Sequence, residues 1–185
     1  IMLGTNYPSP QYLPPKDGKE LLAPVADILR SADLTFANLE GVILTDKGMP
    51  KQCSNPSTCY AFKSPDHYAQ YLKDAGIDVM SLANNHSGDF GVTGLRNTVM
   101  KLDSLGIRFA GRVEFPSKIF EKDGIIYGFA AFAPNTGTMQ INDYAKVKQT
   151  VKELSEKCDI VIVSFHGGAE GADKTRVTRK TEFYL

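Results

Sequence analysis

Apolar and polar positions along the chain repeat one pattern. A stretch with helical spacing is followed by a short polar or glycine break, and then by a run of apolar residues that ends in polar ones. The pattern occurs four times, and the runs that close it are LTFANLEG, VMSLANNHSGD, IRFAGR and IVIVSFHGGAE. Helices that alternate with nearly continuous apolar strands are typical of an α/β fold with a largely parallel sheet.

Helix boundaries can be predicted from the same pattern. Ser64 followed by Pro65 indicates the start of a helix, and Gly76 and Gly106 indicate the ends of two helices. The first helical stretch predicts one buried face, with helical spacing between its apolar residues. That face carries Leu21, Leu22, Val25, Ile28 and Leu29.

One region departs from the parallel pattern. The segment 118–133 contains Asp123 and Gly124 between two strand-like runs, which is a strong signal for a β-hairpin. We therefore expect one antiparallel excursion in the sheet. Two long irregular segments, 5–19 and 44–63, are typical of binding loops.

Length and charge restrict the interpretation further. The 185 residues suit a single domain, which we predict to span residues 1–185 and to be truncated at both ends. The chain begins in what resembles a strand, IMLG, and ends at TEFYL. With 21 basic and 21 acidic residues and no basic cluster, nothing predicts a nucleic-acid partner. No apolar run approaches the roughly 20 residues of a membrane span.

The cysteines leave one question open. Cys53 and Cys59 lie six positions apart in a polar loop, where they could form a small disulfide or remain two free thiols. Cys158 precedes an apolar run, so we expect a small core residue there.

Polar side chains at three predicted strand ends have the chemistry of a binding site. In open α/β sheets, ligands bind beyond the carboxyl ends of the strands, so these side chains should share one edge. Each alone has a structural explanation, such as a turn, a helix cap or a solvated glutamate, but their coincidence favours a site. The residues are Asn38, Glu40, Asn84, Asn85, His86, Asp89, His166 and Glu170.

The residue types at this edge favour metal-assisted chemistry. Carboxylate, amide and imidazole groups without thiolates suit Mg, Mn, Fe or Zn, and a histidine beside a metal ligand can protonate a leaving oxygen. This combination indicates hydrolysis of a phosphoester or related bond. The sequence contains no G-x-S-x-G, P-loop or G-x-G-x-x-G motif.

Three segments, NLEG, ANNHSGDFG and HGGAE, resemble in this order the bacterial capsule-synthesis CapA family, also called poly-gamma-glutamate synthesis proteins. That resemblance implies a calcineurin-like metallophosphoesterase fold, an α/β/β/α sandwich with a two-metal centre of Mn, Fe or Zn. It implies an acidic bridging ligand at Glu40, metal ligands at Asn85 and His166, and a proton donor at His86. Supporting positions would be Asn38, Asn84, Asp89 and Glu170.

The chain departs from the family pattern in three places, one of which is HGGAE, where Gly168 and Ala169 replace an aromatic and a further polar residue of many relatives. The G-D pair that precedes the first strand and the later G-H-x-H segment are absent from these 185 residues, so we expect an incomplete metal site in this chain.

The resemblance implies an extracytoplasmic protein, periplasmic or at the cell surface, that acts on an anionic polymer or cell-envelope substrate beside membrane-associated synthesis machinery. The main hypothesis is a metal-dependent hydrolase. Two alternatives remain open: a non-catalytic component that holds the polymer, and a purely structural domain. Lys51, Lys63 and Arg112 are either polymer contacts or solvated surface cations.

Overall fold

A computed structural model of the chain describes residues 1–46, 48–169 and 174–176. The α-helices of this part are α1 (Ala23–Arg30), α2 (Tyr68–Asp74), α3 (Gly91–Ser104) and α4 (Tyr144–Ser155), and three short 3-10 helices lie at Pro10–Tyr12, Pro15–Gly18 and Pro56–Thr58. Its strands are β1 (Phe36–Asn38), β2 (Val42–Ile43), β3 (Lys63–Ser64), β4 (Val79–Ser81), β5 (Arg108–Ala110), β6 (Ser117–Lys122), β7 (Ile125–Phe132) and β8 (Ile160–Phe165).

The strands form two three-stranded sheets and one short pair. The first sheet has the order β1-β4-β5 and is parallel throughout. In the second, β6 runs antiparallel to β7 through the Asp123–Gly124 turn, and β8 pairs parallel to β7. Both turn residues have positive φ, 52° and 78°. The short pair β2-β3 is also parallel. This arrangement confirms the predicted α/β class and its antiparallel excursion.

The two sheets pack face to face, with helices outside. Val79 and Ala110 of the first sheet share a buried cluster with Phe129 of the second. The alternate positions point outward: Met80 joins a cluster with residues of α2 and α3, and Phe132 joins one with Leu154 of α4. This alternation is the two-residue period of a strand. The layers are therefore α/β/β/α, as the resemblance implied.

The predicted buried face of α1 is wrong for three of its five residues. Ala26 is buried, and Leu22 and Leu29 pack beside the core. The neighbouring stripe, Leu21, Val25 and Ile28, is exposed. The apolar surface spans two adjacent i, i+4, i+7 rows, and a helix of eight residues at the edge of the core buries only one of them.

The predicted start of α2 is also wrong. Ser64 belongs to β3, where its hydroxyl donates to the carbonyl oxygen of Gly4, so it does not cap the helix. A turn through Pro65 follows, and the helix begins at Tyr68. Strand pairing with β2 therefore takes precedence over the local Ser-Pro signal.

The long loop between β2 and β3 is closed by a disulfide between Cys53 and Cys59, which resolves the open alternative. Cys158 is half-buried against the cluster beneath α4. Within the described ranges, no helix is long and apolar enough to cross a membrane.

Candidate functional site

Side chains from three strand ends meet at one edge of the two-sheet core. Glu40 follows β1, Asn85 follows β4 and His166 follows β8. The Nε2 atom of His166 lies 3.1 Å from Oδ1 of Asn85 and 4.0 Å from Oε1 of Glu40. The structure therefore brings the three predicted metal ligands together, although their binding of a metal stays a prediction.

Asn84 links the strand ends that carry this cluster. Its buried amide donates from Nδ2 to Oδ1 of Asn38 and to the carbonyl oxygen of Leu39, both at 2.8 Å. Its Oδ1 accepts the backbone N–H groups of His86 and Ser87, at 2.9 and 2.8 Å. An asparagine bonded to the backbone two and three positions ahead fixes a tight turn. Asn84 therefore sets the direction in which the chain leaves β4.

Asn38 extends the same network toward the cluster. Its Nδ2 donates to Oε2 of Glu40 at 3.3 Å, while its own Oδ1 accepts from Asn84. The carboxylate of Glu40 is thus held on one side and faces His166 on the other.

His86 and Asp89 form a buried pair. The Nδ1 atom of His86 lies 2.7 Å from Oδ2 of Asp89, whose side chain is fully buried. The same oxygen accepts the backbone N–H of Phe62 at 2.7 Å, and the centroid of the Phe62 ring lies 4.4 Å from that of the imidazole. Because the carboxylate of Asp89 accepts a hydrogen bond from Nδ1–H, the ring nitrogen left to give or take a proton is Nε2.

Lys51 is the counter-ion of this pair. Its Nζ lies 2.6 Å from Oδ1 of Asp89 and donates to the carbonyl oxygen of Asn85 at 3.3 Å. Its backbone N–H donates to the carbonyl oxygen of Asp89 at 2.7 Å. No local sequence signal indicated this contact, because Lys51 lies in a loop without periodicity and pairs with a distant segment.

The other two cations named from the sequence are also engaged. Lys63 donates to the carbonyl oxygen of Asp46 and lies over the Phe90 ring. Arg112 is buried, and its Nη1 donates to Oγ of Ser87 at 3.3 Å. Burial lowers the pKa of the Arg112 guanidinium, and the nearby carboxylate of Glu114 opposes that effect.

A cleft of about 480 Å³ opens beside the cluster. Its described walls are Asn85, Pro134, Asn135 and residues 166–169. Asn135 is a site residue that the sequence did not indicate. It follows β7, and no histidine or carboxylate lies close to it in the loop after that strand to mark the loop as part of a site.

Glu170, a predicted supporting residue, lies outside the described residues, so its role stays a prediction. Among the residues that are described, no group of three or more His, Cys, Asp or Glu side chains could hold a metal ion. The cluster at the strand ends has one carboxylate, one imidazole and one amide. This donor set suits a hard or borderline divalent cation, provided that amide oxygens contribute.

Comparison with known proteins relates this site to a family. The chain is 38% identical over 90 residues to the uncharacterized protein y4sH of Sinorhizobium fredii, covering 47% of this chain and 19% of that protein. It is 24% identical over 170 residues to the capsule biosynthesis protein CapA of Bacillus anthracis, covering 81% of this chain and 41% of CapA. The chain thus spans less than half of either relative.

A solved structure supports the fold. A hypothetical protein from Thermus thermophilus superposes with a TM-score of 0.50 and 17% identity, covering 83% of this chain and 54% of that one.

The sequence model of the bacterial capsule synthesis protein family PGA_cap matches residues 1–183. That match spans nearly the whole chain and confirms the resemblance drawn from NLEG, ANNHSGDFG and HGGAE: the chain belongs to the bacterial capsule synthesis protein family PGA_cap.

Proposed function

We propose that this domain is a divalent-cation-dependent hydrolase that acts on a phosphoester or related bond of an anionic cell-envelope polymer. The observation that carries the proposal is the convergence of Glu40, Asn85 and His166 beside the buried His86–Asp89 pair. Family membership supports a role in the production of capsule or poly-gamma-glutamate. The disulfide supports an extracytoplasmic location, because such bonds persist in oxidising compartments.

The residues of the cluster fit a cation of the Mn, Fe or Zn type. Oε1 of Glu40 and Oδ1 of Asn85 both lie within 4.0 Å of Nε2 of His166, so three donor atoms face one another. A bound divalent cation would polarise the scissile group and lower the pKa of a bound water. Asn38 and Asn84 hold the backbone and carboxylate that present these donors.

His86 is the proton donor in this proposal. With Nδ1–H held by Asp89, the protonated ring would release its Nε2 proton to the leaving oxygen. Asp89 stabilises the cationic ring, and Lys51 balances the charge of the carboxylate once the ring is neutral. The adjacent Phe62 ring limits rotation of the imidazole.

The first experiment measures the metal content of the natural full-length protein, purified without chelators. We expect near-stoichiometric Mn, Fe or Zn in the wild type, and loss of that metal in Asn85→Ala and His166→Ala. His67→Ala is the matched control, because His67 is exposed and pairs with Asp17. A wild-type protein without metal, even after soaking in Mn²⁺, would refute the proposal.

The second experiment measures turnover of phosphoesters and gamma-glutamyl polymers by the metal-loaded protein. We expect His86→Ala to lower kcat by about 10²–10⁴-fold, the usual contribution of a positioned acid, without loss of the metal. A metal-loaded protein that binds the polymer but cleaves none of these bonds would instead be an assembly component of capsule synthesis.

A further inference from the structure

Asn135 has an unusual environment at the wall of the cleft. Its side-chain oxygen is buried and has no hydrogen-bond donor among the residues that the structure describes. The residue lines the same cleft as Asn85 and His166. A buried acceptor without a partner costs about 1–3 kcal/mol, so most such oxygens in native proteins have one.

Several hydrogen bonds hold the backbone around Asn135 in place. The carbonyl oxygen of Asn135 accepts from Oγ1 of Thr138 at 2.6 Å, from its N–H at 3.2 Å and from Nε2 of Gln140 at 2.7 Å. Next to it, the carbonyl oxygen of Thr136 accepts from Arg112 at 3.4 Å. The loop is therefore held firmly, and the unsatisfied oxygen belongs to a side chain of the cleft.

The chemistry of the cleft indicates what this oxygen binds. Its described walls offer amide and imidazole groups and include no cationic side chain. Arg112 contacts the loop at Thr136 and Ser87 and is not one of these walls. The neighbouring cluster has a single carboxylate among the described residues, whereas oxygen-preferring divalent cations take about six ligands. An amide oxygen without a donor is a ligand of the required type.

We propose that Oδ1 of Asn135 is a further ligand of the cation held by Glu40, Asn85 and His166. This inference rests on the proposed function, because it assumes that a cation binds there. It assigns a cation-binding role to the loop after β7, which the sequence motifs do not include.

The test is Mn²⁺ binding to the metal-free full-length protein, measured by calorimetry and by the electron paramagnetic resonance of free Mn²⁺. We expect Asn135→Ala to lower affinity by about tenfold or more, since even residues that only support ligands contribute on that scale. Asn135→Asp keeps the shape and adds a charge, so we expect affinity equal to or above that of the wild type.

Asn6→Ala is the matched control, because within the described part of the chain Asn6 also has a buried side-chain oxygen without a donor but is not among the cleft walls. We expect it to leave Mn²⁺ affinity unchanged. Wild-type affinity in Asn135→Ala would overturn the inference while leaving the proposed function intact. Loss of affinity in Asn135→Asp, with a wild-type unfolding curve, would also overturn it. A wild-type protein that binds no Mn²⁺ would instead refute the proposed function.

Discussion

The two halves of the candidate site differ in how closely their charged side chains approach one another. In the proton-donor half, His86, Asp89 and Lys51 are linked by contacts of 2.6–2.7 Å, and Asp89 is fully buried. In the cation half, Glu40 and His166 are partly exposed and approach each other only to 4.0 Å. The first half is preorganised. In the second half, a bound cation would supply the partner that the donor atoms share.

This difference follows from where each half comes from in the chain. His86 and Asp89 lie in one turn after β4, and Lys51 and Phe62 flank a disulfide-closed loop that packs against them. The cation half combines residues from the ends of β1, β4 and β8, in two different sheets. We therefore expect substitutions in the first half to lower stability, and substitutions in the second to lower cation affinity.

Replacing Asp89 should have the largest effect on stability. Asp89→Ala removes the partner of His86, of Lys51 and of the Phe62 N–H together. Breaking a buried pair typically costs about 3–5 kcal/mol, and we expect a loss of this size in chemical denaturation. Asp103→Ala, at an exposed position of α3, should change stability by no more than about 0.5 kcal/mol. A loss of less than about 1 kcal/mol for Asp89→Ala would contradict the claim that the contacts of Asp89 preorganise the proton-donor half.

Removing the disulfide should have the next largest effect. Cys53 and Cys59 are separated by six positions, and closing a loop of this size stabilises by about 2 kcal/mol in the chain-entropy treatment. We expect the Cys53→Ser/Cys59→Ser variant to lose about that much. Reductant should lower the wild type to the same level and leave the variant unchanged; equal stability with and without reductant in the wild type would argue against the prediction.

Lys51→Met should have a smaller effect. Its side chain is 28% exposed, and Asp89 would keep its contacts with His86 and Phe62, so water and neighbours compensate in part. We expect a loss of about 1.5 kcal/mol, within the range for removing one partner of a charged hydrogen bond. Lys51→Arg, which keeps the charge, should lose less. Equal losses in the two variants would show that packing, and not the ion pair, is responsible.

Glu40→Gln should have the smallest effect on stability and the clearest effect on binding. Among the described residues, its carboxylate accepts one hydrogen bond, from Asn38 at 3.3 Å, lies 4.0 Å from His166, and interacts electrostatically with the ammonium group of Ile1. We expect the free energy of unfolding without metal to change by no more than about 0.5 kcal/mol. Mn²⁺ affinity should nevertheless fall by at least about tenfold. If Glu40→Gln lowered the free energy of unfolding but left Mn²⁺ affinity unchanged, the assignment of Glu40 to the cation half would be wrong.

The sequence predicted the features that depend on local signals. The Asp123–Gly124 turn, the ends of helices at Gly76 and Gly106, and the polar strand ends each follow from a few adjacent residues. The fold class followed from their order, and the convergence of the strand ends followed from the geometry of parallel strands.

The features that were missed depend on tertiary contacts. The helix α1 has two apolar rows, and only the rest of the core decides which is buried. Lys51 reaches Asp89 across a loop whose path no periodicity specifies. Asn135 is an ordinary loop asparagine until β7 places it in the cleft. Each case involves a choice among locally equivalent residues, and a single sequence does not contain the packing that makes the choice.

The position of the disulfide has a consequence for how the protein matures. Cys53 and Cys59 lie between Lys51 and Phe62, the two residues that hold the His86–Asp89 pair from the loop side. A newly made chain would therefore finish this part of the site only after its thiols are oxidised. We expect protein produced in a reducing cytoplasm to show an altered imidazole environment of His86 by NMR, which returns to that of the mature protein on oxidation. An identical His86 spectrum in both redox states would show that the loop closes correctly without the bond.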